Sequence, residues 1–248
     1  MGYVKTKGIV IKVADTGEEN KIITILTDSY GKISCFTKGS RKLNNRYSAG
    51  TEFLCYSEFL LFKGKDMYLL NSLEIIEPFY ELRKDLIKLT YSSYFTDIIN
   101  DVVKEEQAAN NILQLFLNSL HLITKTNKSI ELIASIFEIR IVSIIGFTPF
   151  VTGCCICKKT DFGDNILFSF INHGLICKNC IKTDKNIIIL SIGVVKTIIF
   201  LVSANIKQLF NFELSKEVLI ELNNFSKRYL QNTLEKEYNK LDFLNQFK

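Results

Sequence analysis

The chain has 248 residues, of which 47% are hydrophobic and two are proline. A chain of this size and composition buries a sizeable core, which excludes an intrinsically disordered protein. Its 31 basic and 26 acidic side chains give a formal charge of +5, which permits a polyanionic partner and excludes the strongly cationic class of chromatin-type binders. Residues 1–12 lack the long apolar run of a secretion signal, so we expect a cytoplasmic protein.

Residues 1–80 are typical of short β-strands separated by turn signals such as Asp15-Thr16-Gly17 and Lys63-Gly64-Lys65. Five short strands with no helix between most of them predict a small closed β-barrel, such as an OB-fold domain over residues 1–80. Another small barrel or a sandwich is the alternative. The predicted strands are Gly8–Val13, Lys21–Thr27, Lys32–Lys38, Phe53–Phe62 and Tyr68–Ile76.

After Pro78 the apolar residues recur at helical spacing, which predicts a helical domain over residues 81–248 and an α+β fold class. Serines stand where the N-caps of the last two helices are expected. The predicted helices are Asp85–Val103, Asn110–Thr124, Ser129–Ile145, Ser191–Ser203 and Ser215–Leu230.

The segment 186–204 is apolar almost throughout and raises the question of a membrane span. Lys196 lies at its middle, where a charge costs about 2.5–3.5 kcal/mol in a bilayer. Ser191 is a candidate N-cap that divides the run into an extended piece and a helix. We therefore predict a buried core helix, and no membrane association.

Four cysteines have the spacing of a zinc site. Nineteen residues separate the pair Cys154-x-x-Cys157 from the pair Cys177-x-x-Cys180. Each pair points two thiolates at one ion, and two pairs complete a tetrahedron. Cytoplasmic thiols stay reduced, so this pattern favours a metal site over disulfides. The prediction is one structural Zn²⁺ in a loop at 151–182, with the second pair delivered by a hairpin that turns at Asn172-His173-Gly174.

Two neighbours of the quartet are alternative ligands. Cys155 and Cys157 are separated by one residue, and this spacing suits binding of one ion less well than the two-residue spacing of Cys154 and Cys157. We therefore expect that Cys155 is not a ligand. His173 falls on the predicted hairpin turn, and we expect a surface position for it. Four thiolates leave no open position for a catalytic water, so the zinc is predicted to be structural.

A basic segment forms the second motif. No acid occurs from Ser29 to Thr51. On a strand, Lys32, Phe36 and Lys38 share one face, which suits single-stranded nucleic acid, because lysines contact phosphates and a ring stacks on a base. A flexible polar loop with further cations follows. The alternative, held equally open, is a solvated strand face with Phe36 in the core. The candidate DNA-binding residues are Lys32, Phe36, Lys38, Arg41, Lys42 and Arg46.

Catalytic motifs are absent from the sequence. It contains no P-loop, no GxSxG, no HExxH and no dinucleotide fingerprint, so no catalytic residue is predicted and the chain is not expected to be an enzyme.

The order of these parts resembles the RecO family of DNA repair proteins over nearly the whole chain. The N-terminal part of the resemblance lies in Gly8-Ile9-Val10-Ile11, in Gly17-Glu18-Glu19-Asn20-Lys21 and in Lys38-Gly39-Ser40-Arg41-Lys42. The C-terminal part lies in Phe137-Glu138-Ile139-Arg140, Gly146 and Pro149, which lead into Cys154…Cys157 and then Cys177…Cys180.

The resemblance implies a non-enzymatic mediator of recombinational repair with an OB-fold. Such a protein binds single- and double-stranded DNA and anneals complementary strands. It works with RecR, and possibly RecF, to help RecA load onto strands coated by single-strand-binding protein, whose C-terminal tail it contacts. The resemblance also implies association with the nucleoid, and it matches Lys38, Arg41 and Lys42 to the family's basic stretch.

Some residues depart from the family pattern, and two rival functions remain. Leu43-Asn44-Asn45-Arg46 stands where the family often has proline or more basic residues, and Lys158 stands where a glycine often follows the first cysteine pair. A polynucleotide ligase needs a nucleotidyl lysine in a K-x-D-G context, which Lys63-Gly64-Lys65-Asp66 does not supply. A zinc-stabilised protein-binding adaptor is the second rival.

Overall fold

The structure, a computed structural model, describes residues 2–42, 44–162, 166–181 and 185–247. Residues 163–165 and 182, within the predicted zinc loop, and Leu43 lie outside the described residues. Strands come first and most helices follow, which confirms the α+β organisation. The chain forms two compact units, Met1–Thr126 with Lys240–Lys248, and Asn127–Asn239. A domain boundary at residue 80 stays a prediction.

Five strands of the first unit pair in a closed ring, in the order β1-β2-β3-β5-β4. All pairs are antiparallel except β3 with β5, which is parallel and short. The strands are β1 (Tyr3–Thr16), β2 (Asn20–Thr27), β3 (Lys32–Thr37), β4 (Tyr56–Lys63) and β5 (Tyr68–Glu77). Inward side chains fill the barrel because apolar residues occupy every second position. This core consists of Val10, Ile23, Ile25, Ile33, Cys35, Phe59, Leu61 and Tyr68.

Two helices complete the first unit, α1 (Leu86–Val102) and α2 (Asn110–Lys125). The Asp85 carboxylate caps α1 by accepting hydrogen bonds from two backbone N–H groups, as a side chain at this position does for the free donors of a helix start. Lys240, from the C-terminal segment of this unit, forms a 2.6 Å ion pair with Asp97 of α1.

The second unit is built around α3 (Ile130–Ile144), which is buried on almost every side. Two residues of the Phe137–Arg140 segment in α3 form hydrogen bonds with the segments packed against this helix. Buried Glu138 accepts a hydrogen bond from the Ser226 hydroxyl, and the Arg140 guanidinium donates to the carbonyls of Leu201 and Val202. These contacts join α3 to α4 (Ile192–Ser203) and to α5 (Lys216–Leu234).

A small sheet in the order β7-β6-β8 carries the cysteine segment. Its strands are β6 (Ile166–Ser169), β7 (Gly174–Ile176) and β8 (Ile187–Leu190). The Ser191 hydroxyl caps α4 by accepting from Val194 N–H at 3.3 Å, and β8 ends just before it. The apolar run at 186–204 is therefore a strand and a helix, as predicted. Among the described residues, no helix is long and apolar enough to cross a bilayer.

Candidate metal centre and nucleic-acid interface

The four cysteines of the two pairs come together. The sulfurs of Cys154, Cys157, Cys177 and Cys180 all lie within 4.8 Å of one another, and the Sγ atoms of Cys157 and Cys177 are 3.7 Å apart. A tetrahedron with Zn–S bonds of about 2.3 Å has sulfurs about 3.8 Å apart. The donor set and its spacing therefore fit a four-coordinate metal ion.

Backbone hydrogen bonds shape the turns that present these sulfurs. On the first pair, Cys154 N–H donates to Lys159 O at 2.7 Å, and Lys158 N–H returns to Cys154 O at 2.9 Å. On the second pair, Cys180 N–H donates to Cys177 O at 2.9 Å, and Cys177 N–H points at the Cys154 sulfur at 3.5 Å. The β6–β7 hairpin delivers Cys177 beside the first pair, as predicted.

The electrostatics of the quartet favour one thiolate. Burial raises the pKa of Cys154, but N–H groups of Cys157, Cys177 and Ile156 hydrogen-bond its sulfur and lower the pKa to about 6. The pKa of Cys180 is raised to about 12 by its hydrogen bond to Cys177, by burial and by the charge of Cys154. A cation supplies the positive charge that four thiolates need in order to share one small volume.

The two alternative ligands have different outcomes. Cys155 stands outside the group of converging sulfurs. His173 lies on the hairpin turn as predicted, but it is half-buried and not fully at the surface: its ring lies 5.4 Å from Phe147 and 5.7 Å from Tyr229, and its Nδ1 is buried. The only sign of this burial in the sequence is that aromatic residues occur in the segments around His173. Their presence alone does not indicate which of them contact the histidine ring. Neither residue joins the metal-binding set.

Lys158 holds the position after the first pair with a φ of +65°, where a side chain costs about 1–2 kcal/mol in the left-handed region. Its ammonium also lies 4.3 Å from the centre of the Phe150 ring. We expect Lys158→Gly to be more stable than Lys158→Ala by about 1 kcal/mol, because both variants lose the cation–π contact and only glycine relieves the strain. Thermal unfolding of the two zinc-loaded variants measures this difference; equal stability would contradict the strained conformation.

The described part of the basic loop, residues 38–42 and 44–46, is tied to the rest of the first unit. Gly39 N–H donates to the Asn20 side chain at 2.8 Å, Arg41 N–H donates to Glu19 O at 3.0 Å, and the Asn45 amide donates to Gly39 O at 3.0 Å. The expected flexible loop is therefore an anchored turn that lies against the β1–β2 turn, residues 17–19.

The cations of this loop lie at the surface. Arg41 faces Asp15 at 3.5 Å and Lys42 faces Glu19 at 2.8 Å, in ion pairs that contribute about 0–1 kcal/mol when exposed. Lys38 is exposed, and Arg46 stacks its guanidinium over the Tyr47 ring at 4.5 Å. All four cations are therefore exposed to solvent.

The two candidate residues on β3 are placed differently from each other. The Lys32 ammonium donates to the carbonyl of Asn100 at 2.5 Å, near the end of α1, so it already has a partner in the fold. Phe36 lies on the outward, half-buried face of β3, opposite the buried face of Ile33, Cys35 and Thr37. The strand alternation predicted from the sequence is confirmed.

Two further lysines stand at this face that the sequence alone did not single out. Lys63 ends β4 and Lys65 lies in the β4–β5 turn, residues 64–67. Both lysines line a cleft of about 140 Å³ together with Lys32 and Ser34. Lys63 forms a 3.0 Å ion pair with Glu106. Parallel pairing of β3 with β5 brings this turn to β3. The signal in the sequence was a lysine on each side of a turn glycine, which by itself indicates only a turn.

Comparison with known proteins accounts for almost the whole chain. The family model described as Recombination protein O N terminal matches residues 1–79, and the one described as Recombination protein O C terminal matches residues 83–242. The chain belongs to the RecO family. This confirms the resemblance inferred from the motifs.

Several relatives named DNA repair protein RecO align over both full lengths. The protein of Acetivibrio thermocellus is 48% identical over 244 residues, which is 98% of this chain and 97% of that protein. The protein of Caldicellulosiruptor bescii is 36% identical and covers 98% of each. The protein of Alkaliphilus metalliredigens is 30% identical over 96% of this chain and 97% of its own. The RecO family is a family of DNA repair proteins, and no enzymatic activity appears in these names.

Proposed function

We propose that this RecO-family chain is a non-enzymatic, DNA-binding mediator of recombinational repair and that its barrel is an OB-fold. Five strands in the order 1-2-3-5-4, with strand 1 paired to strand 4, have the topology of that fold, whose ligands bind on strands 2 and 3 between the first and last hairpin loops. The observation that supports this most directly is the position of the cations. The basic loop lies against the β1–β2 turn, and the β4–β5 turn lines a cleft with β3.

Single-stranded DNA suits this face in chemical terms. We place phosphate contacts on Lys38, Arg41, Lys42 and Arg46, and base stacking on Phe36. Phosphate contacts carry no base information, so binding is expected to be sequence-tolerant. Lys32 remains a candidate, although a phosphate contact requires it to leave the Asn100 carbonyl. We place double-stranded DNA on the same cations.

Phe36→Ala tests whether the ring serves DNA or the core. Because Phe36 lies on the outward face, we expect the variant to stay folded and to bind single strands about 1–3 kcal/mol more weakly. Phe59→Ala is the matched control, since Phe59 is fully buried and its truncation costs about 3–5 kcal/mol of stability. Thermal melting and DNA titration of both variants separate the two roles. A Phe36→Ala variant that melts like Phe59→Ala would place the ring in the core.

We propose that the cysteine quartet holds one structural Zn²⁺ that shapes the 151–182 loop. Cys154, Cys157, Cys177 and Cys180 would be its ligands. Four thiolates fill a tetrahedral ion, so the site offers no position at which a water is activated. This supports a structural role and a protein without catalytic residues.

The partners follow from the mediator role. We propose contacts with RecR, possibly RecF, and with the acidic, apolar C-terminal tail of single-strand-binding protein, and an indirect effect on RecA loading. A receptor for such a tail combines apolar side chains with lysine or arginine, and we place it in the second unit, where Ile189 and Ile192 are 61% and 63% exposed. A tail peptide that does not bind at moderate salt would count against this receptor.

We also infer a cytoplasmic, nucleoid-associated location for the protein.

One observation favours the adaptor alternative. Ile156, between two cysteines at the tip of the first pair, is 53% exposed, and an apolar residue on a rigid zinc turn suits a protein contact. DNA binding that falls steeply with salt supports the mediator, whereas a zinc-loaded protein without DNA affinity supports the adaptor.

Annealing of complementary oligonucleotides tests the proposed function as a whole. We expect the protein to accelerate annealing without any nucleotide, both on bare strands and on strands coated by single-strand-binding protein. Absence of acceleration in both cases, by a folded and zinc-loaded protein, would refute the mediator role.

A further inference from the structure

An unbroken row of outward-facing apolar side chains crosses the outer surface of the barrel. Its members are cross-strand neighbours: Tyr3 faces Phe62, Phe62 faces Leu69, Leu69 faces Phe36, and Phe36 faces Ile22. We call these five residues the apolar strip. It runs over β1, β4, β5, β3 and β2, and with strands about 4.8 Å apart its length along the surface is about 19 Å.

Two members of the strip are largely uncovered. Tyr3 is 65% exposed and Leu69 is 42% exposed, and the Tyr3 and Phe62 rings meet edge to face with centroids 5.5 Å apart. Outward faces of strands usually carry polar residues, and an exposed apolar row on a sheet is a binding surface more often than a packing feature.

The charges beside the strip identify the occupant. Among the described residues two positions away from a strip member along its strand, the charged ones are Lys5, next to Tyr3, and Lys38, next to Phe36. None is acidic, although Glu58 on the neighbouring strand pairs with Lys5 at 2.7 Å and Glu74 stands opposite Glu58 on β5. Rings and aliphatic surface flanked by ammonium groups are the elements of a single-strand track, on which bases stack and phosphates pair.

We infer that single-stranded nucleic acid continues from the basic loop and Phe36 across Leu69 and Phe62 to Tyr3, so that the binding track extends over the outer surface of β5, β4 and β1. This rests on the proposed DNA-binding function and extends it to a part of the barrel beyond strands 2 and 3. Phe36 belongs both to the lysine–aromatic face of β3 and to the strip, which makes the two surfaces continuous. Lys63 and Lys65, at the β4–β5 turn, lie at the end of the strands that the strip crosses.

Tyr3→Ala in the full zinc-loaded chain tests the track. The binding of labelled oligo(dT) is measured by anisotropy for lengths from about 4 to about 16 nucleotides, the range of one OB-fold. For the longest oligonucleotide we expect affinity at least about fivefold weaker than wild type, which is the lower end of the contribution of one stacked base. The loss should shrink as the oligonucleotide becomes too short to reach Tyr3, whereas the loss caused by Phe36→Ala should persist at every length.

Two control variants isolate the ring. Tyr3→Phe keeps a stacking surface and should bind like wild type. Ile87→Ala removes an apolar side chain of α1 that is 52% exposed and lies off the strip, and it should also leave binding unchanged. Thermal melting checks that all variants are folded. We expect Tyr3→Ala to fold, because the Tyr3 side chain is largely exposed. A crosslink from 5-iodouracil in the bound strand to Tyr3, located by mass spectrometry, would support the track directly.

The outcomes separate this inference from the proposed function. If Tyr3→Ala binds every length as wild type does while alanines in the basic loop weaken binding, the strip is not a DNA track and its apolar surface serves another partner. If wild type itself binds no oligonucleotide at low salt, the proposed function fails, and the track fails with it.

Discussion

Cys154→Ser is expected to abolish zinc binding and unfold the cysteine segment. Among the described residues, the apolar cluster that surrounds Cys154 has two other buried members, Leu167 and Ile176, and its remaining members are only partly buried, so the cysteine segment has a small core of its own. Structural zinc contributes about 10–16 kcal/mol in small zinc-dependent folds, which far exceeds what such a cluster supplies. Metal analysis of the purified variant and thermal unfolding measure the two losses, and Cys177→Ser should behave in the same way.

Cys155→Ser is the matched control for this prediction. Cys155 is a neighbour in sequence, but its sulfur is not among the four that converge. The variant should keep one zinc per chain and melt close to wild type. Loss of zinc from Cys155→Ser would overturn the choice of ligands, and a stably folded wild type without metal would overturn the structural role of the ion.

Alanine at Lys38, Arg41 and Lys42 together is expected to weaken binding to single strands of every sequence. Each phosphate contact by a cation adds about −0.7 to the slope of log affinity against log salt for single strands, so loss of three contacts should flatten that slope by about 2. The ion pairs of Arg41 with Asp15 and of Lys42 with Glu19 are exposed, so the substitutions should change stability little. Titrations at several salt concentrations provide both numbers.

A charge-matched variant controls for the change in net charge. Lys125, Lys207 and Lys216 are exposed and lie outside the basic loop, so alanines there remove the same three charges. We expect this variant to keep the wild-type salt slope. If the loop variant also keeps both affinity and slope, the DNA site does not lie on the loop.

Local patterns in the sequence determined the elements and the four cysteines that converge. The period of apolar residues distinguished five strands from five helices, and serine hydroxyls that accept from nearby N–H groups begin α3, α4 and α5. The cysteine spacing specified the quartet because each pair is a self-contained turn. These features depend on contacts within a few residues, so a single sequence contains them.

The length of the first strand was predicted less well than those of β2, β3 and β5, for a physical reason. β1 was expected over Gly8–Val13 and extends over Tyr3–Thr16. One end of it pairs with β4 and the other with β2. The hydrogen bonds of those partners, more than the β-propensity of the end residues, set where the strand stops.

Only the tertiary structure decided which outward surfaces come together. Alternation in the sequence divided β3 into two faces but left open whether Phe36 packs in the core. A period of two residues shows which side chains share a face, but it does not show which face is covered by the rest of the protein. The parallel pairing of β3 with β5 joins residues 33 apart in the chain, Phe36 and Leu69, and with it the lysines of the β4–β5 turn reach the outward face of β3. The partial burial of His173 was missed for the same reason, since Phe147 and Tyr229 contact its ring from other parts of the chain. Contacts of this kind depend on the register and closure of whole sheets, which local sequence patterns do not encode.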